Sequence, residues 1–135
     1  GTTFWKSMPD SILSNNYGKT IGIIGGSFAT EANAKIVYDM LREKLGMTVN
    51  SAAIAGAGFC QGTTFVQQSA NFASCDIYVI WCSTNDFTNN KANGNSSDSA
   101  GANTQWGAFK QVLANLYASN PNASSWFSWA ALCLI

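Results

Sequence analysis

Short apolar runs that close on glycine or small polar residues, alternating with helical patterns, constrain this chain more than any other feature. The first run is Thr20-Ile21-Gly22-Ile23-Ile24-Gly25-Gly26-Ser27. It reads as a buried parallel strand ending in a tight turn. A helical pattern follows from about Thr30 to Leu45, where Val37, Leu41 and Leu45 recur every four residues with Met40 beside them. Glu31 precedes Lys35 in the favourable i,i+4 order, and Gly46 supplies a stop. Met47 to Ala55 reads as a second strand, closing on Gly56-Ala57-Gly58, and Thr63 to Phe72 as a shorter helix. Asp76 to Cys82 is the clearest strand, β-branched and aromatic throughout. Lys91 to Asn103 is an Asn/Gly/Ser loop, and a third main helix runs from about Thr104 to Ala118 with Phe109, Val112, Leu113 and Leu116 on one face. Ser125 to Ile135 is read as a fourth strand.

The order β-α-β-α-β-α-β implies a three-layer α/β/α domain with a parallel sheet, helices on both faces, and strand order 2-1-3-4. In such sheets ligands bind beyond the carboxyl ends of the strands. Three of those ends carry small or polar residues: Gly25-Gly26-Ser27, Gly56-Ala57-Gly58 and Ser83-Thr84-Asn85-Asp86. The topology brings all three to one edge, which is the main functional signal.

Bulk properties remove several alternatives. A chain of 135 residues suffices for one domain and not for two. Lys and Arg balance Asp and Glu at seven each, so nothing marks a nucleic-acid or anionic-lipid partner. No stretch is long and apolar enough to span a bilayer. Gly1-Thr2-Thr3-Phe4-Trp5 lacks the basic and apolar regions of a secretion leader. The low charge and the Asn/Ser/Thr-rich polar set nonetheless point toward an exported protein rather than a cytoplasmic one. The four cysteines form no CxxC pair and histidine is absent, so neither a metal nor a cofactor is expected. Cys75, Cys82 and Cys133 lie in or beside apolar runs and read as buried free thiols rather than a disulfide.

Each candidate residue has a bland and a chemical reading. Ser27, between a strand and a helix, is either a helix N-cap or a hydroxyl held where free N–H groups stabilise developing negative charge. Gly56 is either a turn glycine or a bare N–H donor at an oxyanion site. Asn85 either makes an Asx-turn with Asp86 or donates its side-chain amide. Their occurrence at successive strand ends favours the chemical reading.

These segments resemble the sequence blocks of SGNH (GDSL-type) hydrolases. Ile24-Gly25-Gly26-Ser27-Phe28 is similar to the first block, usually Gly-Asp-Ser. Ala55-Gly56-Ala57 resembles the second, and Ser83-Thr84-Asn85-Asp86 the third, usually Gly-x-Asn-Asp. The resemblance covers roughly Ile21 to Ile135 and implies a flavodoxin-like sheet and serine ester hydrolase activity on small or carbohydrate-linked esters. It assigns Ser27 as nucleophile and first oxyanion donor, Gly56 as backbone donor, and Asn85 as side-chain donor. Gly26 stands in place of the usual Asp, and Ser83 in place of the usual Gly. The family's Asp-x-x-His block, which supplies the general base, has no counterpart here. On this resemblance residues 1–135 form roughly the N-terminal two-thirds of a family domain, with residues 1–19 as an extension and the last strand and helix missing. Such a chain is expected to be inactive or very weak.

Two other readings compete. A non-catalytic module on the same fold would use the cleft only for binding. A nucleotide-binding domain would use Gly56-x-Gly58-x-x-x-Gly62, but that motif follows the second strand and lacks the expected acid at the end of the next. A fourth strand at the sheet edge, without the final strand and helix beside it, is also expected to drive self-association.

Overall fold

The computed structural model describes residues 14–127. Its sheet holds β1 (Thr20–Gly25), β2 (Thr48–Ser51), β3 (Ile77–Trp81) and β4 (Ser124–Phe127) in the order β2-β1-β3-β4. All three pairings are parallel, with Ile23 opposite Ser51 and Val79, and Ile80 opposite Phe127. This is the expected 2-1-3-4 topology. The part of the fourth strand expected beyond Phe127, and Cys133 with it, lies outside the described residues.

Alternation along the strands divides the core between the two faces of the sheet. Ile21 and Ile23 of β1, with Ile77, Val79 and Trp81 of β3, pack with Tyr38, Leu41 and Met47. Ile24, with Tyr78, Ile80 and Cys82, packs on the other side with Phe65, Val112 and Leu116. The first face is covered by α1 (Lys35–Asp39), which runs on into a π-helical turn at Met40–Lys44. The second is covered by α2 (Phe65–Ser69) and α4 (Gln105–Ser119). Between them in the chain, α3 (Asn85–Thr88) is a single turn.

Local signals explain most boundaries. Thr64 caps α2 by accepting from the Gln67 N–H at 3.2 Å, while the Gln67 side chain accepts from the Thr64 N–H at 2.8 Å, a reciprocal capping box. Thr104 caps α4 by accepting from the Gly107 N–H at 3.1 Å. The expected stripe of α4 faces the core, with Val112 and Leu116 buried and Phe109 and Leu113 half-buried against them. The stripe Val37, Met40, Leu41 and Leu45 does the same on the other face.

The first helix departs from expectation. It begins at Lys35, because Ser27–Ala29 forms a separate 3₁₀ turn and Thr30 is extended. The expected Glu31–Lys35 pair is therefore replaced. Lys35 binds Asp39 at 2.8 Å, and Arg42 takes Glu31 in a two-pronged pair. These pairs lower the Glu31 carboxyl and raise the Lys35 ammonium and the Arg42 guanidinium, in each case chiefly through the hydrogen bond to the partner.

Ile80 is fully buried in the centre of the sheet, whereas Tyr117 is 67 % exposed. Ile80→Ala should cost about 2–5 kcal/mol in urea unfolding through lost burial and the cavity left behind. Tyr117→Ser should stay within about 0.5 kcal/mol. Equal losses for the two would contradict this division of the core.

Candidate active site

The carboxyl ends of β1, β2 and β3 carry the three candidate segments, and contacts among them are direct. After β2 the ladder continues, with the Ala52 N–H on the Ile23 carbonyl at 2.9 Å and the Ile54 N–H on the Gly25 carbonyl at 3.1 Å. The chain then turns at Gly56, whose φ of +80° is a left-handed value that favours glycine. The Ala57 carbonyl accepts from the Ser83 hydroxyl at 2.6 Å and from the Asn85 side-chain amide at 2.8 Å. Gly26 lies so close that a Cβ built on it would be 2.8 Å from the same carbonyl oxygen. One backbone carbonyl thus joins the segments of Ser27, Gly56 and Asn85.

The end of β1 is held from the other side by Gln68, which is buried. Its carboxamide oxygen accepts from the Gly25 N–H at 3.0 Å, and its nitrogen donates to the carbonyls of Gly25 at 3.1 Å and Thr63 at 3.2 Å. A side chain thereby takes both polar groups of the residue two places before Ser27. Farther along, the Tyr38 hydroxyl donates to the Ala29 carbonyl at 2.9 Å and lies 2.7 Å from the Ser51 hydroxyl. Burial raises the Tyr38 phenol above its usual range.

Ser27 does not stand at the N-terminus of a long helix as expected. Gly26 occupies the cap position, and Ser27 opens a three-residue 3₁₀ turn too short for a substantial dipole. Nor is the Ser27 hydroxyl a cap. Instead the Ser27 carbonyl accepts from the Thr30 N–H at 3.3 Å, the Thr30 hydroxyl at 2.8 Å and the Asn33 amide at 2.8 Å. Ser27 is half-buried, and its hydroxyl takes no partner among the described residues. Asn85 opens α3 rather than an Asx-turn, and its amide orientation is set by the Ala57 carbonyl.

Asp86 is the site residue that sequence reasoning undervalued. It is 2 % exposed, and its two carboxylate oxygens accept from the Phe59 N–H at 2.7 Å and the Cys60 N–H at 2.8 Å. Gly58 makes the approach possible, since a Cβ there would fall 2.4 Å from an Asp86 oxygen. Gly58 thus lies against a carboxylate of this chain, and the N–H groups of Phe59 and Cys60 are not open to a phosphate. This removes the basis for nucleotide binding at that loop. Both Asp86 oxygens are engaged by backbone donors, which leaves that carboxylate unsuited as a base. Burial first, then the Asp86 charge, raises the Cys60 thiol. Cys60 and Cys75 are free thiols. Among the described residues no helix is long and apolar enough to cross a membrane.

Truncating Asp86 leaves one buried and one half-buried N–H donor unpaired. Asp86→Ala should therefore lower stability by about 2–4 kcal/mol and speed amide hydrogen exchange at Phe59 and Cys60. Unchanged exchange at those two amides would show that the carboxylate does not hold the loop.

Comparison with known proteins agrees with this fold. The family model for GDSL-like lipases/acylhydrolases matches residues 10–131. No curated protein matches. A GDSL-like lipase structure from Bacteroides uniformis is similar at 17 % identity and TM-score 0.70, over 90 % of this chain and 78 % of that one. One from Bacteroides ovatus is similar at 16 % identity and TM-score 0.67, over 82 % of this chain and 72 % of that one. A family two carbohydrate esterase from Clostridium thermocellum, solved with cellohexaose, is similar at 16 % identity and TM-score 0.57, over 85 % of this chain and 46 % of that one. At these identities the structures speak for the fold alone, and the chain spans less than half of the last. The family model covers most of the chain, which belongs to the GDSL-like lipase/acylhydrolase family.

Proposed function

We propose that this chain carries the nucleophile and oxyanion half of a serine ester hydrolase, with Ser27 as nucleophile and the Ser27 and Gly56 N–H groups and Asn85 amide as oxyanion donors. The observation that supports it best is the Ala57 carbonyl. It binds the Asn85 amide at 2.8 Å and sits against Gly26, so the three segments share one fixed point. That carbonyl occupies one amide hydrogen of Asn85 and leaves the other for a ligand oxygen. Donors fixed before substrate arrives stabilise a tetrahedral intermediate without reorganising.

The neighbouring side chains favour an uncharged ester. Ile54, Phe28 and Phe87 are exposed at 43 %, 60 % and 83 %, each within two residues of a candidate site residue. The only charged residue in the stretches 25–30, 52–64 and 82–90 is Asp86, which is buried. Apolar residues beside the candidate positions suit neutral acyl or sugar-linked esters, with Glu31 and Lys91 the charges that follow those stretches.

The sequence of 135 residues has no histidine, and a general base contributes about 10²–10⁴-fold in such reactions. The chain alone should hydrolyse a short-chain aryl ester within about twofold of its Ser27→Ala variant. Added imidazole should restore a Ser27-dependent rate about tenfold or more above the same variant in the same buffer. A wild-type rate no higher than that of Ser27→Ala with imidazole present would overturn Ser27 as nucleophile. The absence of histidine also favours a second reading, a binding module on this fold. Titration with acetylated sugars followed by Trp fluorescence separates the two, since a module would bind without imidazole-supported turnover.

A further inference from the structure

Gly26 has φ −91° and ψ −156°, extended backbone that any residue adopts, so its conformation does not call for glycine. The space around it does. A Cβ there would lie 2.6 Å from the Ser83 Cβ, 2.8 Å from the Ala57 oxygen and 3.2 Å from the Ser83 hydroxyl. The Ser83 side chain fills the volume that a side chain at position 26 would need. The two departures from the resembled blocks are therefore spatially linked: small replaces large before the nucleophile, and larger replaces glycine at the head of the third block.

Ser83 does more than fill. Its hydroxyl donates to the Ala57 carbonyl at 2.6 Å, and its oxygen lies 3.4 Å from the Asn85 N–H, at the long limit of a hydrogen bond. The Asn85 amide donates to that same carbonyl at 2.8 Å. One small side chain thus touches the segment before Ser27, the segment after Gly56, and Asn85 itself.

We infer that Gly26 and Ser83 form a compensated pair, and that Ser83 is a positioning residue whose hydroxyl holds the Ala57 carbonyl and Asn85 so that the Asn85 amide keeps one hydrogen on that carbonyl and the other for a ligand. The second half rests on reading Asn85 as an oxyanion donor. The first half does not.

A mutant cycle on the 135-residue chain tests the pair. Gly26→Ala should lower the folding equilibrium constant about tenfold or more, because the new Cβ meets Ser83 and Ala57. In a Ser83→Gly background the same change should cost at least about threefold less, since the contact with the Ser83 side chain is gone while the Ala57 oxygen remains close. Additive losses would overturn the pair. The positioning role is read from the Asn85 side-chain ¹H–¹⁵N signals, assigned with Asn85→Ala, and from imidazole-supported hydrolysis. Ser83→Ala keeps most of the volume and removes the hydroxyl. It should move the Asn85 signals and lower kcat about tenfold with KM within about twofold. Unmoved signals, or a change in KM alone, would overturn the positioning role. If imidazole-supported turnover shows no dependence on Ser27, the hydrolase reading falls, while the mutant cycle and the Asn85 signals still decide the pair and the hydroxyl's hold.

Discussion

The buried Asp86 carboxylate is the contact on which the arrangement of the site depends. A carboxylate taken out of water is costly unless its oxygens find donors, and here the Phe59 and Cys60 N–H groups supply them at 2.7 and 2.8 Å. The loop after Gly56 is otherwise short of regular structure. With Asp86 inside it, that loop is bound to the turn that starts α3 and therefore to Asn85. Gln68 performs the matching task on β1, satisfying both polar groups of Gly25 where the chain leaves the sheet for Ser27. The parallel sheet brings the segments to one edge, and these two polar side chains fix where along that edge each one sits.

Strand and helix order was legible because burial on both faces of a parallel sheet leaves apolar runs such as Ile21 to Ile24 and Ile77 to Ile80. The boundaries of α2 and α4 were legible through Thr64 and Thr104, whose caps are local. The first helix was less so. Its apolar spacing runs back only to Val37, and what breaks it before Lys35 is the 3₁₀ turn held by Ser27, Thr30 and Asn33. Thr30 and Asn33 looked like ordinary polar positions because their partner is a backbone carbonyl, which leaves no pattern in side-chain spacing.

The candidate residues Ser27, Gly56 and Asn85 were legible from position, as small or polar residues closing apolar strands. Their supports were not. Gln68 lies 43 residues from its partner Gly25, and Asp86 lies 27 from Phe59 and 26 from Cys60. Contacts between side chains and distant backbone follow from the three-dimensional arrangement and leave no periodic trace. Asp86 beside Asn85 looked like turn chemistry for the same reason. One trace did exist: Gly58, a glycine whose purpose becomes plain only when the carboxylate lies against it.

The proposed division of roles follows from the chemistry of ester hydrolysis. Stabilising an oxyanion needs fixed N–H donors, and on the proposed reading these are the backbone and amide groups near Ala57, Gln68 and Asp86. Moving the proton from Ser27 needs a base of pKa near neutral, and imidazole is the side chain whose ordinary value lies there. No carboxylate described at this edge takes that place. Asp86 is engaged by two backbone donors, and Glu31 is held by Arg42 with its carboxyl lowered, which weakens it as a base. Oxyanion stabilisation and proton transfer are separable contributions to the same barrier. On the proposed reading, the first three strands carry the oxyanion donors, and proton transfer is the step that 135 residues without histidine serve least.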